Sequence, residues 1–130
     1  MSEIQKQIDE IKCPELKKLA EGLTKRKVLW YSQNETGTEL FEVLKRLELG
    51  YSGPYMERIK FEIGGHKWSC IHGVGSYGGI HLIGKGKDEG LIEVLSDDYN
   101  DGDPIGHLTA DYILSIVDMR IQRNEDSHGK

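Results

Sequence analysis

The segment Tyr55–Gly73 constrains the fold more than any other part of this 130-residue chain. Within it, Gly64-Gly65 separates two runs of alternating apolar and polar residues, which predicts two β-strands joined by a two-residue hairpin turn. Because successive side chains point to opposite faces of a strand, such a turn sets the register of every cross-strand pair. The pairs predicted on one face are Ile63 with His66, Phe61 with Trp68, Ile59 with Cys70, and Glu57 with His72.

The opposite face of the hairpin is polar in composition. It carries Lys60, Glu62, Lys67 and Ser69. One face is therefore expected to pack on a core while the other meets water, which is typical of an antiparallel sheet covered by helices on one side.

Helical spacing dominates the first fifty residues. Isoleucines recur at this spacing from Ile4 to Ile11, and Pro14 suits the first turn of a second helix with Cys13 just outside it. Thr36 begins a capping-box pattern that predicts a further helix ending near Gly50.

Two more strands and a final helix are predicted after the hairpin. The strands are Ile80–Ile83 and Leu91–Leu95, and Thr109 has the character of a helix N-cap. Val28–Tyr31 fits either a strand or a buried connector. The sum is an α+β fold with N-terminal helices, a four-stranded antiparallel meander and a C-terminal helix packed on one sheet face. We expect one domain over residues 1–122 and a polar, frayed tail over 123–130.

The net charge of −5 is unevenly distributed. Residues 1–50 hold nine basic and nine acidic side chains, whereas residues 51–130 hold eight basic and thirteen acidic ones. This balance disfavours direct binding to nucleic acid or anionic lipid and leaves a basic protein surface as a possible partner. Two cysteines, no signal-peptide pattern and no long apolar run predict a cytoplasmic protein with reduced thiols and no membrane span. The sequence does not determine an oligomeric state.

The hairpin brings potential metal ligands to one face. His66, Cys70 and His72 share that face, and Cys and His can bind zinc together. The spacing lacks the paired CxxC or HxxxH patterns of zinc sites, so a small buried cysteine is the favoured interpretation. A nucleophilic Cys–His pair is less favoured still, because Cys70 lies opposite Ile59 in an apolar setting. The sequence therefore predicts no catalytic residue, no cofactor and no enzyme.

Glycines are concentrated in the segment Gly73–Gly79, which matches GxGxxG. A dinucleotide site needs a helix after this motif, and the sequence here continues as a predicted strand. Backbone amides at Gly75, Ser76 and Tyr77 could still bind an anion. A small-ligand (nucleotide) site at these three residues, or a metal site on the histidine face, is the alternative function.

An acidic segment, SDDYNDGDP, precedes the C-terminal helix. An EF-hand calcium loop is disfavoured because Tyr99 and Leu108 would occupy ligand positions that need oxygen donors. A solvated loop is one interpretation, in which case neutralising Asp98 and Asp101 should relieve repulsion and stabilise the fold slightly. We favour a docking surface for a basic protein partner, formed by Asp97, Asp98, Tyr99, Asp101 and Asp103.

Residues 77–117 resemble small uncharacterised proteins encoded by phages and prophages. The resemblance is carried by Gly78, Gly79, Leu91–Leu95, Gly106, Leu108, Thr109 and Ala110. These residues form a turn, a strand and a helix cap, so the resemblance implies no catalytic residue. It implies instead a protein that binds and blocks a host or defence protein, such as a CRISPR effector, in the host cytoplasm.

Overall fold

The computed structural model describes residues 2–35, 56–73, 76 and 89–128. In this part of the chain, three helices accompany a five-stranded antiparallel sheet of order β1-β2-β3-β4-β5. The helices are α1 (Glu3–Glu10), α2 (Pro14–Lys25) and α3 (Ala110–His128). The strands are β1 (Trp30–Ser32), β2 (Met56–Ile63), β3 (His66–Gly73), β4 (Ile92–Ser96) and β5 (Ile105–Leu108).

The two N-terminal helices begin where local signals place them. The Ser2 hydroxyl caps α1 by accepting a 3.1 Å hydrogen bond from the backbone N–H of Gln5. Pro14 occupies the first turn of α2, where a missing N–H costs nothing, and Cys13 is the N-cap residue as predicted.

The hairpin of β2 and β3 has the predicted turn and register. Gly64 and Gly65 have φ angles of 59° and 85°, the left-handed conformations that a type I′ turn requires. All four predicted pairs of the apolar face are present. The alternation of the sequence and the two-residue turn together were sufficient to predict this element.

The core lies between one face of the sheet and the helices α2 and α3. Trp68 is its largest fully buried side chain and stacks between two aromatic rings, with centroid distances of 5.8 Å to Phe61 and 5.9 Å to Tyr99. The helices contribute Leu16, Leu19, Leu23, Ile113 and Val117 to the same core.

The prediction of four strands was wrong, because the sheet has five. Val28–Tyr31, whose structure the sequence left open, contributes the edge strand β1. The strand β5 was not predicted, because its four residues show no alternation and it forms only by pairing with β4. The predicted strand at Leu91–Leu95 is present as Ile92–Ser96. The predicted strand Ile80–Ile83 and the helix after Thr36 lie outside the described residues.

Helix α3 has two separate N-terminal hydrogen-bond acceptors. The Thr109 hydroxyl accepts a 3.2 Å hydrogen bond from Tyr112 N, which confirms the predicted cap. The Glu15 carboxylate of α2 accepts a 2.7 Å hydrogen bond from Ala110 N and so joins the two helices. The helix extends to His128, six residues into the segment that the sequence assigned to the tail.

Candidate functional site

The acidic segment between β4 and β5 adopts a tight turn. Asn100, Asp101 and Gly102 have φ angles of 55°, 55° and 83°. Left-handed backbone is uncommon for residues other than glycine and is enriched at functional sites. Two backbone hydrogen bonds close the turn, from Gly102 N to Tyr99 O (3.1 Å) and from Asp103 N to Asn100 O (2.9 Å). The carboxylates of Asp101 and Asp103 are therefore held in exposed positions.

Asp98 joins this turn to α3 through two arginines. Its Oδ2 lies 3.2 Å from Arg120 Nε, its Oδ1 accepts a 3.2 Å hydrogen bond from Arg123 Nη1, and its side chain is only 13% exposed. The hydrogen bond from Arg123 is the main cause that holds the pKa of Asp98 below its usual range. The sequence did not show that two guanidinium groups face Asp98, and the stabilisation expected from neutralising Asp98 and Asp101 in a solvated loop stays a prediction.

Asp97 and Tyr99 also have partners within the chain. Asp97 Oδ1 lies 3.3 Å from His66 Nδ1, although its side chain remains 70% exposed. The Tyr99 ring stacks on Trp68, and its hydroxyl forms a 2.9 Å hydrogen bond with the hydroxyl of Tyr112 on α3. The acidic turn and α3 thus form one continuous surface.

Two exposed apolar side chains extend this surface along α3. Tyr112 and Met119 are seven residues, or about two helical turns, apart and so project from the same side of the helix. Met119 is 63% exposed. Sequence reasoning missed both residues, since neither belongs to the apolar face that packs on the core. We define the loop–helix surface as Asp97, Asp101, Asp103, Tyr112 and Met119.

The predicted histidine and cysteine face lies in the interior. Cys70 and His72 are both buried, and burial raises the pKa of the Cys70 thiol, which disfavours the thiolate needed for zinc or catalysis. His66 is half-buried and contacts Asp97. Among residues 2–35, 56–73, 76 and 89–128, no group of three or more His, Cys, Asp or Glu side chains could hold a metal ion.

Glu57, opposite His72, has a role that the sequence did not predict. Its carboxylate is buried and accepts 2.8 Å hydrogen bonds from the backbone N–H groups of Lys12 and Cys13. These donors belong to the junction of α1 and α2, so Glu57 fixes both helices to the sheet. A polar residue on the apolar face was the only signal that could have indicated such a role.

The predicted ligand loop is described only at Ser76. The Ser76 hydroxyl is buried, accepts a 3.0 Å hydrogen bond from Gly73 N and contacts Gly73 O at the same distance. This serine therefore closes a turn after β3. Gly75 and Tyr77 lie outside the described residues.

The face of the sheet opposite the core carries a groove of about 800 Å³. The strand register places four residues in a row across it: Tyr31, Lys60, Ser69 and Leu95. Tyr31 and Leu95 are 57% and 47% exposed, and Leu29 is also exposed beside them. Glu62 and Lys67, a cross-strand pair, lie in the same groove, and Asp97 is at its edge. We call this region the outer sheet groove.

No protein-family model, curated protein or solved structure matches the chain. Within the described residues, no helix has the length and apolar character needed to cross a membrane.

Proposed function

We propose that this protein is a non-enzymatic protein-binding module that uses the loop–helix surface. The observation that supports this proposal is the continuity of two exposed features through the Tyr99–Tyr112 hydroxyl pair. One is the acidic turn, and the other is the apolar stripe of Tyr112 and Met119. A complementary partner presents basic side chains next to an apolar patch.

The rigidity of the acidic turn favours binding. Ordering a loop on association costs free energy, and this turn is already closed by backbone hydrogen bonds and anchored to α3 through Asp98. Exposed carboxylates at the rim mainly increase the association rate with a basic partner, whereas buried tyrosine and methionine contacts supply affinity.

The charge of this surface is smaller than the sequence suggested. The turn carries four carboxylates, and the two guanidinium groups of Arg120 and Arg123 face one of them. Asp101 and Asp103 therefore supply most of the charge offered to a partner, with a contribution from Asp97. The sequence also assigned Asp98 and Tyr99 to docking. In the structure both residues bind side chains of α3 and so hold the acidic turn in place.

A bacterial defence protein, such as a CRISPR effector, is the partner class that the resemblance to small phage proteins implies. In that case the protein acts in the cytoplasm of the host. The alternative of a nucleotide or metal site gains less support from the described residues, because Cys70 and His72 are buried and Ser76 closes a local turn.

Site-specific photo-crosslinking tests the proposal. A photoreactive amino acid at Met119 should form a crosslink to a protein from a bacterial lysate. The crosslink should weaken with added salt and be reduced in Asp101→Asn/Asp103→Asn. The matched control is Glu125→Gln, which removes an exposed carboxylate farther along α3 and should leave the crosslink intact. Equal crosslinking in both variants would contradict the proposal.

A second assay addresses the partner class. Expression of the protein in cells that perform CRISPR interference should restore transformation by a targeted plasmid. The Asp101→Asn/Asp103→Asn variant should restore it less, and Glu125→Gln should match the wild type. No effect of the wild-type protein would remove this effector from the candidate partners while leaving the crosslinking result to stand alone.

A further inference from the structure

The outer sheet groove has a different character from the loop–helix surface and shares with it only Asp97, at the edge of the groove. It combines exposed apolar side chains at both ends with charges of both signs in the middle. Exposed apolar surface on a sheet face is typical of an interface, since such faces are otherwise polar. We propose that the outer sheet groove binds a second copy of this chain, forming a symmetric dimer in which the two sheets pack face to face.

The strand register gives the groove a self-complementary arrangement of charges. A two-fold axis parallel to the strands and midway between β2 and β3 exchanges these two strands between the copies. Because Glu62 and Lys67 are directly opposite each other in the register, the axis places Glu62 of one copy against Lys67 of the other, and the reverse. Each dimer therefore gains two pairs of opposite charge.

The apolar ends of the groove match under the same axis. Tyr31 on β1 and Leu95 on β4 lie in one row, at equal numbers of strands from the axis. The two-fold rotation therefore places Tyr31 of one copy over Leu95 of the other. Lys60 falls opposite Ser69, which is a neutral polar residue, so no like charges meet in this row.

Packed sheets rotate relative to each other by about 30°, which displaces side chains most at the sheet margins. The charged pairs lie on the two strands next to the axis and at the hairpin end of those strands. Their register is retained in a dimer whose sheets cross near this end. Tyr31 and Leu95 lie farther from the axis. Because these side chains are large, they remain in contact when the sheets rotate.

A partner of uniform charge is less suitable for this groove. A strongly basic surface would meet Lys60 and Lys67, and a strongly acidic one would meet Glu62 and Asp97. A second copy brings Glu62 and Lys67 to their opposites and Lys60 to a neutral serine, without a further assumption about another protein. The groove therefore differs in preference from the loop–helix surface, which favours a basic partner.

Sedimentation velocity of charge-reversal variants tests this proposal. The measurements are made at low salt over a wide range of protein concentration. The wild type should dimerise. Glu62→Lys and Lys67→Glu should each weaken dimerisation about tenfold or more, because both symmetric pairs become repulsive. The double variant Glu62→Lys/Lys67→Glu should recover the dimer, and Glu125→Lys should not affect it.

An equimolar mixture of the two single variants provides the decisive measurement. The Glu62→Lys chain carries a lysine at both positions of the pair, and the Lys67→Glu chain carries a glutamate at both. In the mixed dimer the two lysines of one chain face the two glutamates of the other, so both pairs are attractive again. The mixture should therefore dimerise more strongly than either variant alone, which also shows that both variants are folded.

Two outcomes would overturn the proposal. One is a wild-type protein that stays monomeric at every concentration. The other is a dimer whose dissociation constant is the same in all these variants, because its interface would then lie elsewhere on the molecule.

Discussion

Glu57 and Cys13 are 44 residues apart in the chain, yet the Glu57 carboxylate accepts a 2.8 Å hydrogen bond from the backbone N–H of Cys13. The other carboxylate oxygen accepts from Lys12 N at the same distance. The Glu57 side chain, on the core face of β2, thereby accepts hydrogen bonds from two backbone N–H groups just before α2. The contact links the hairpin to the helical layer through a charged group that is only 2% exposed.

We therefore expect Glu57→Gln to destabilise the fold by about 2 kcal/mol. The amide keeps one acceptor and turns its NH₂ group towards a backbone donor, which leaves a buried N–H without an acceptor. Urea unfolding monitored by circular dichroism measures the loss. Glu125→Gln, at an exposed position on α3, is the control and should change stability by less than about 0.5 kcal/mol. Equal effects of the two changes would contradict this role of Glu57.

Asp98→Asn should also destabilise the fold, by about 1 kcal/mol. The amide cannot form the charged contacts with Arg120 and Arg123 that join the acidic turn to α3. Asp101→Asn is the matched control, because Asp101 is exposed in the same turn and should be neutral or slightly stabilising. Thermal unfolding of Asp98→Asn and Asp101→Asn measures the difference in their stability. Stabilisation by Asp98→Asn would show that repulsion within the turn exceeds the ion pairs.

The contribution of Asp98 should depend on pH. Its pKa is lower in the folded protein than in the unfolded chain, chiefly because of the hydrogen bond from Arg123. The stabilisation is therefore fully present above about pH 4, the ordinary range of aspartate, and is lost as the pH falls through the lower pKa of the folded state. The stability difference between the wild type and Asp98→Asn should shrink accordingly. A difference that stays constant down to strongly acidic pH would contradict the assignment.

Trp68→Ala should cost about 3–5 kcal/mol, since it removes a large buried ring from between Phe61 and Tyr99. The comparison is Trp30→Ala on the edge strand β1. Trp30 is only partly buried, and its Nε1 donates a 2.9 Å hydrogen bond to the Thr24 hydroxyl, so the loss there should be smaller. Denaturant unfolding of both variants provides the test, and a smaller loss at Trp68 than at Trp30 would disprove the expected order.

Local sequence signals predicted the elements whose hydrogen bonds and apolar periodicity are contained in a few neighbouring residues. Gly64-Gly65 and the alternation around it predicted the hairpin register, including the pairing of Phe61 with Trp68. Pro14 and Thr109 marked the starts of two helices. Each of these features depends on backbone geometry within one turn or one strand pair, which is why the sequence reveals it directly.

The sequence by itself determined which face of the hairpin is apolar, the α+β class and the acidic character of the segment before α3. Only the tertiary structure decided what the charged groups of that framework do. Glu57 binds the junction of α1 and α2, and Asp98 pairs with Arg120 and Arg123, across separations for which periodicity carries no signal. The strand β5 likewise exists because β4 supplies its hydrogen-bond partners. Burial, ion pairing and sheet edges depend on which segments meet in space, and that meeting results from the packing of the whole chain.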